Sequence, residues 1–550
     1  MTTLHNIHSN KIITISLLAI ILIGGGLIYY RPSVSFNLDD ALIFFNIIES
    51  KPIYWGVDHF DKGRFYPLAF MDLNLLMYLF PTSDILAAPR IYFFANVMLF
   101  TLLACVMFYL LIQIVPLSYS MLALLICFIN LGFVIVFMGV CFPERVQVVW
   151  LSGYILGLFF LAHKQKRVAL WAVVCIVCGG ASMFYKEPDC VFICGSLALL
   201  LGLRYFYGYT SGVPKDRADM PIIIVGLVLL LVACVFMGLY LWLVVPHIQK
   251  SYANFGLKDM QVAKDMINAL LYHPFLFLFV PAVLIVRIYK VSQAIKSDDK
   301  TALNSRYAFY DSLLIAALAY GASYFVLMIF TPYYFFPCYV MACLPVAFYT
   351  KLYYKHLRKL FVAVCLIHAL INIPSALSHY TSIKILPPHY LQAAQFLANY
   401  THTNPSTKIF MLGQNQDPLG KVFYGYLGWF VRYFGGRDFD LATNLPPTTT
   451  PHIDPSSPYS IFNSPTLQTP KSGDLLYLDS YTQAHITPQY LTKLRADYEE
   501  IFASSYAGFY DISPKTLAKY ALITHAPQYA KHLANNIFHA PLGVYIYRVR

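Results

Sequence analysis

Long apolar runs recur along most of the chain, separated by short polar breaks. Each approaches the ~20 residues a helix needs to cross a hydrocarbon core. They lie near 12–30, 91–115, 119–140, 146–162, 168–185, 190–207, 221–245, 273–289, 309–330, 334–350 and 360–377, and predict eleven membrane helices. The runs at 119–140 and 334–350 have the weakest boundaries. Ile12 to Tyr30 has the length of a true span and no small-x-small cleavage site behind it, so it reads as an uncleaved first helix. After Leu377 the pattern changes. Leu391–Asn399 is amphipathic at helical spacing, while Lys408–Leu412, Asp474–Asp479 and Gly543–Tyr547 are strand-like. That alternation predicts a small α/β domain. No glycine-rich phosphate fingerprint follows its first strand, which argues against a dinucleotide site. The expected division is a membrane domain over 1–377, holding a first external loop at 31–90, and an external domain over 378–550. No internal repeat is visible, and the only low-complexity tract is the Pro/Thr/Ser-rich stretch from Pro446 to Pro470.

Composition agrees with this pattern. Hydrophobic residues are 58% of the chain and charged residues 12%, too few charges to cover a soluble fold of 550 residues. Of the 11 cysteines none lies beyond Cys365, so the external domain cannot depend on internal disulfides. Cys175 and Cys178 form a C-x2-C inside an apolar run, with no second pair or His cluster, and read as packing rather than zinc or redox chemistry. The net charge of +12 does not indicate nucleic acid, because the basic residues cluster in loops between spans.

Those loops give an orientation. With the N-terminus inside, 163–167, 204–217, 287–306 and 351–359 are cytoplasmic and hold 15 Lys and Arg. The short external loops hold only Arg145, Lys186, Lys250, Lys258 and Lys264. The external domain then follows the eleventh span.

Candidate chemistry gathers on the external side. Asp39 and Asp40 stand side by side just after the first span, followed by Ala41–Ile48, an amphipathic segment suited to a helix lying on the membrane surface. Trp55–Pro67 then brings Asp58, His59, Asp61, Arg64 and several aromatics. Glu144-Arg145 and Lys186-Glu187 sit at later external turns, and Thr331-Pro-Tyr-Tyr334 forms another. Each has a plain alternative. Either aspartate can cap the helix at Ala41, but only one can, and adjacent like charges repel. Arg64 can touch lipid headgroups, and the Glu-Arg and Lys-Glu pairs can be local ion pairs of little value. His59, His247 and His273 read as interfacial or capping residues. Taken together, the charges line the external membrane boundary, where a cavity half in lipid suits a substrate with a lipid tail and a charged head. Cations would hold its phosphate and a carboxylate would take a proton.

An acidic pair in the first external loop, an amphipathic segment and a later Gly63-Arg64-Phe65 resemble the GT-C superfamily of glycosyltransferases. The turns Pro143-Glu-Arg145 and Tyr185-Lys-Glu-Pro188 are similar to motifs of its bacterial members. The resemblance implies a polytopic α-helical membrane fold with a small external C-terminal α/β domain. It further implies inverting transfer of a hexose or pentose from a polyprenyl-phosphate-linked donor to a lipid-linked or glycan acceptor. An acidic residue of the first loop acts as base in that family, which maps to Asp39 or Asp40. Asp58, Asp61, Arg64, Glu144, Arg145, Lys186 and Glu187 become candidate substrate-binding residues. The pair is Asp-Asp here, not the Asp-Glu of the mannosyltransferase type, so no sugar carries over. No cofactor is implied. A divalent metal is not indicated, since no further acidic motif of the metal-dependent oligosaccharyltransferase type is visible. The implied setting is a bacterial inner membrane, with a cytoplasmic N-terminus and a periplasmic C-terminal domain. Two rivals stand beside this reading. A lipid or polysaccharide transporter or flippase would place ionisable groups near mid-membrane and show repeated halves. A non-catalytic anchor would leave the charged first loop without a purpose.

Overall fold

The computed structural model describes residues 2–35, 39–58, 60–163, 166–211, 220–248, 260–411, 418–443, 466–467, 469–478, 496–509, 512 and 542–550. Among the described residues, ten helices are long and apolar enough to cross a membrane, and one bent pair makes an eleventh. The chain is a multi-pass α-helical membrane protein. Its helices are α1 (Thr2–Tyr29), α2 (Asp40–Ile48), α3 (Met71–Leu79), α4 (Ala88–Ile114), α5 (Leu117–Phe128), α6 (Leu131–Met138), α7 (Glu144–Ala162), α8 (Val168–Tyr185) and α9 (Glu187–Thr210). They continue as α10 (Met220–Leu243), α11 (Met260–Tyr272), α12 (Val280–Lys296), α13 (Tyr307–Val326), α14 (Phe336–Leu352), α15 (Tyr354–Tyr380), α16 (Pro387–Thr403) and α17 (Pro418–Tyr433).

Burial sorts these helices. The span built on α7 is 83% buried within the protein, as is Pro332–Leu352, whereas the first span is only 11% buried. Cys175 and Cys178 of α8 pack against Gly157 and Gly153 of α7, where a Cβ would come within 2.8 Å of Cys175 N and 2.7 Å of Cys178 Sγ. The expected run at 119–140 is the bent pair, α5 and α6 meeting at 69°. A break at membrane depth frees backbone groups that must find partners. Asn130 accepts the Phe133 N–H at 2.9 Å, His368 of α15 reaches Ile129 O at 2.8 Å, and Asn372 accepts the Leu131 N–H at 3.3 Å. The bend lets α6 deliver the 139–145 turn to the same end of the bundle as α2.

At the opposite end, α12 and α13 share a buried ion pair. Arg287 Nε and Nη2 reach Asp311 at 2.9 to 3.1 Å, and Tyr207 and Tyr349 donate to the same carboxylate at 2.7 and 2.6 Å. Every oxygen is satisfied, so the pair holds helices together.

The C-terminal sheet is mixed, with strands β1 (Thr407–Met411), β2 (Phe439–Thr443), β3 (Thr466–Leu467), β4 (Leu475–Leu478), β5 (Tyr498–Tyr506) and β6 (Leu542–Val549) in the order β3-β2-β1-β4-β6-β5. The first four strands in that order run parallel, and β6 pairs antiparallel with both β4 and β5. α17 forms the crossover between parallel β1 and β2, as parallel neighbours require. α15 runs through a π turn at Thr381–Ile385 into α16, so the expected boundary at 377/378 lies within a nearly continuous helical rod.

Candidate active site

α2 begins directly after the first span, and its aspartates separate at once. Asp40 is fully buried, and its Oδ1 accepts the N–H groups of Val140 and Cys141 at 3.0 Å each. Asp39 occupies the N-cap position, but its side chain makes no capping bond. It keeps part of its surface open to solvent while the rest is enclosed by protein, and its Oδ1 takes one contact, from the Tyr426 hydroxyl at 3.4 Å. One aspartate is therefore an anchor and the other faces outward. The protein crowded around each pushes its pKa above the ordinary carboxylate value. Tyr426 partly offsets this at Asp39, and the two N–H groups do so at Asp40.

The amphipathic pattern of α2 serves packing on protein: six of its nine residues are buried. Phe44 meets Tyr92 of α4 edge-on at 5.6 Å, and Phe45 meets Trp429 of α17 at 4.9 Å.

The loop that follows carries Arg64 into place. Tyr66 N–H bonds to Gly56 O at 2.9 Å, and a Cβ on Gly56 would fall 2.1 Å from Tyr66 O, so only glycine lets the loop close. Gly63 adopts φ +74°, the left-handed turn glycine permits without cost. Arg64 Nε reaches Glu187 Oε1 at 3.3 Å, and the same oxygen accepts Phe65 N–H at 2.9 Å. The guanidinium lies 4.9 Å from the Tyr66 ring centre. Lys186 Nζ bonds to Glu144 Oε1 at 2.5 Å and lies 4.6 Å from the Tyr334 ring centre and 5.5 Å from that of Tyr66. Burial works against both cations. At Lys186 the Glu144 carboxylate more than offsets it, and at Arg64 Glu187 does so, holding each above its ordinary pKa. Arg64, Glu144, Lys186 and Glu187 thus come together from three segments, joined by Tyr66 and Tyr334.

Arg145 plays a different part. It is fully buried and braces the turn, with Nε to Val140 O at 3.2 Å, Nη1 to Asn96 Oδ1 at 3.3 Å and Nη2 to Asp72 Oδ2 at 2.5 Å. Through Val140 this brace reaches Asp40. Asp58 and Asp61 stand exposed on the loop, apart from the cluster. His59 lies outside the described residues, and His247 is exposed. His273, directly after α11, is buried, with Nδ1 3.2 Å from the Tyr339 hydroxyl. Among the described residues no group of three His, Cys, Asp or Glu is placed to hold a metal.

Two buried features escaped the sequence. Gln147 Nε2 donates to Asp189 Oδ1 at 2.8 Å and Ser182 donates to Oδ2 of the same carboxylate, behind Lys186. Lys384, in the π turn, is fully buried with its Nζ 3.2 Å over the Phe93 ring centre and no hydrogen-bond partner among the described residues. Its one sequence signal is a lysine in the apolar context Ile383-Lys-Ile-Leu386.

The fold and site define a polytopic α-helical membrane protein with a small C-terminal α/β unit and a cluster of ionisable groups at one end of its helices. No family model matches the chain, and no curated protein does. Among solved structures the chain is similar to ArnT from Cupriavidus metallidurans bound to undecaprenyl phosphate. The identity is 10%, over 90% of this chain and 96% of that one, with a TM-score of 0.42. A likeness that distant leaves function to this chain's own residues.

Proposed function

We propose that the protein is a membrane glycosyltransferase that moves a sugar from a polyprenyl-phosphate-linked donor to an acceptor hydroxyl on the external face, inverting the anomeric centre. The observation that supports it is the pairing of an outward-facing carboxylate, Asp39, with the Arg64 and Lys186 cluster at the same end of the bundle. Asp39 takes the proton of the acceptor hydroxyl. The acceptor oxygen bonds to the anomeric carbon as the bond from that carbon to the phosphate oxygen breaks, and the electron pair leaves with the polyprenyl phosphate. Arg64 and Lys186 face the charge growing on that phosphate, the contribution fixed cations make best in a site poor in water. Glu187 and Glu144 hold the two cations in position before the donor arrives. Tyr66 and Tyr334 supply a wall for the first prenyl units or the sugar ring. Asp40 and Arg145 keep the 139–145 turn, and with it α2, in register.

The cytoplasmic N-terminus, the periplasmic C-terminal unit and the bacterial inner membrane belong to this reading, supported by the Lys and Arg asymmetry of the loops. So does the lipid-linked or glycan nature of the acceptor. The test is purified protein in lipid given polyprenyl-phosphate hexoses and pentoses, with release of free polyprenyl phosphate followed. Release dependent on Asp39 supports the reading, and no release from any donor counts against it.

A further inference from the structure

The C-terminal unit reaches the acid pair directly. In α17, Tyr426, Trp429, Phe430 and Tyr433 fall at i, i+3, i+4 and i+7, one helical face. That face closes over Phe45 of α2, whose ring centre lies 4.9 Å from Trp429, 5.0 Å from Phe430 and 6.5 Å from Tyr433. Tyr433 ties the helix down further. Its hydroxyl accepts Ile85 N–H at 3.1 Å and donates to Ser83 O at 3.2 Å. From this seat Tyr426, itself buried, extends its hydroxyl to Asp39 Oδ1.

We propose that Tyr426 is a positioning residue of the transfer site, holding one oxygen of Asp39 so that the other meets the acceptor hydroxyl. The C-terminal unit is then part of the site and not a separate appendage. This rests on the reading of Asp39 as the base. A donor on a carboxylate favours its ionised form, so the contact also sets the pH at which Asp39 can accept a proton. The other titratable groups around Asp39 are Asp40 beside it, Cys141 on the 139–145 turn, and Lys384 beyond Asp40. None of these donates to Asp39 in the structure.

The test is Tyr426→Phe, which keeps the ring and its packing on Trp429 and removes only the hydroxyl. Its acid limb of kcat/KM against pH should move upward by about half a unit or more, with kcat lowered above the limb as well and thermal stability unchanged. Tyr433→Phe serves as control: it should lower thermal stability and leave the acid limb where it is. Carboxyl infrared difference titration, with Asp39→Asn assigning the band, reads the same midpoint without turnover. An Asp39 band and an acid limb that both stay at the wild-type pH in Tyr426→Phe overturn the proposal. Absent transfer by the wild type with a shifted band would instead remove the glycosyltransferase reading and leave the Tyr426 contact standing.

Discussion

Asp40 and Val140, a hundred positions apart in the chain, are joined by a hydrogen bond of 3.0 Å from the Val140 N–H to the Asp40 carboxylate. That bond and its neighbour from Cys141 fix the start of α2 against the end of α6, which in the proposed reading makes Asp40 the anchor and leaves Asp39 as the base. Asp40→Ala should leave two buried N–H groups unpaired and cost about 1–3 kcal/mol of stability for each. Asp39→Asn should cost little stability. Thermal melts of the two variants in detergent check this, and equal melting points would contradict the division of labour.

Asp39 should set the acid limb of the pH-rate profile. Its folded pKa is raised by burial, so the limb should lie above the ordinary value of about 4. The sign for stability follows from the same shift. The folded state keeps its protons on Asp39 and Asp40 to higher pH than the unfolded chain does. Their contribution is therefore fully present below the unfolded pKa and is lost as pH rises through the folded values. A limb at or below the ordinary value would refute the burial argument.

Glu144 and Lys186 have side chains 1% and 4% exposed, so each depends on the other. Glu144→Gln alone leaves a buried ammonium uncompensated and should destabilise by about 3–5 kcal/mol. Adding Lys186→Met should recover most of that loss. A double-mutant cycle in which the two costs simply add would show that the pair is not coupled.

Arg64 should act through the shape of its guanidinium. Its Nε is engaged by Glu187 and its plane lies near the Tyr66 ring, a geometry lysine cannot reproduce. Arg64→Lys should raise KM for the lipid donor by about tenfold, the loss of one charge-assisted contact. A KM equal to the wild-type value would remove Arg64 from the donor site.

Much of this architecture was legible in the sequence, because apolar runs of bilayer length are a strong signal. All eleven expected runs correspond to helices, and the weakly bounded 119–140 proved to be the bent pair. The strands β1, β4 and β6 were visible from short apolar runs. α17, β2 and β5 carry weaker patterns, although Tyr426, Trp429, Phe430 and Tyr433 repeat at helical spacing. The charges at helix ends marked the cluster, but their partners are set by tertiary packing. Sequence proximity could not separate Asp39 from Asp40, since the difference arises from the 139–145 turn, and it could not foresee that α17 would cover α2. Lys384 and His273 are polar residues in apolar surroundings, and only the packed structure distinguishes buried from interfacial.

The most direct measurement compares wild type with Asp39→Asn, both folded in lipid, for release of polyprenyl phosphate from a polyprenyl-phosphate sugar in the presence of acceptor. Turnover by the wild type is expected, with a fall of about a hundredfold or more in Asp39→Asn, the usual loss when a general base is removed. Turnover by Asp39→Asn equal to the wild type would contradict the role of Asp39 as the base.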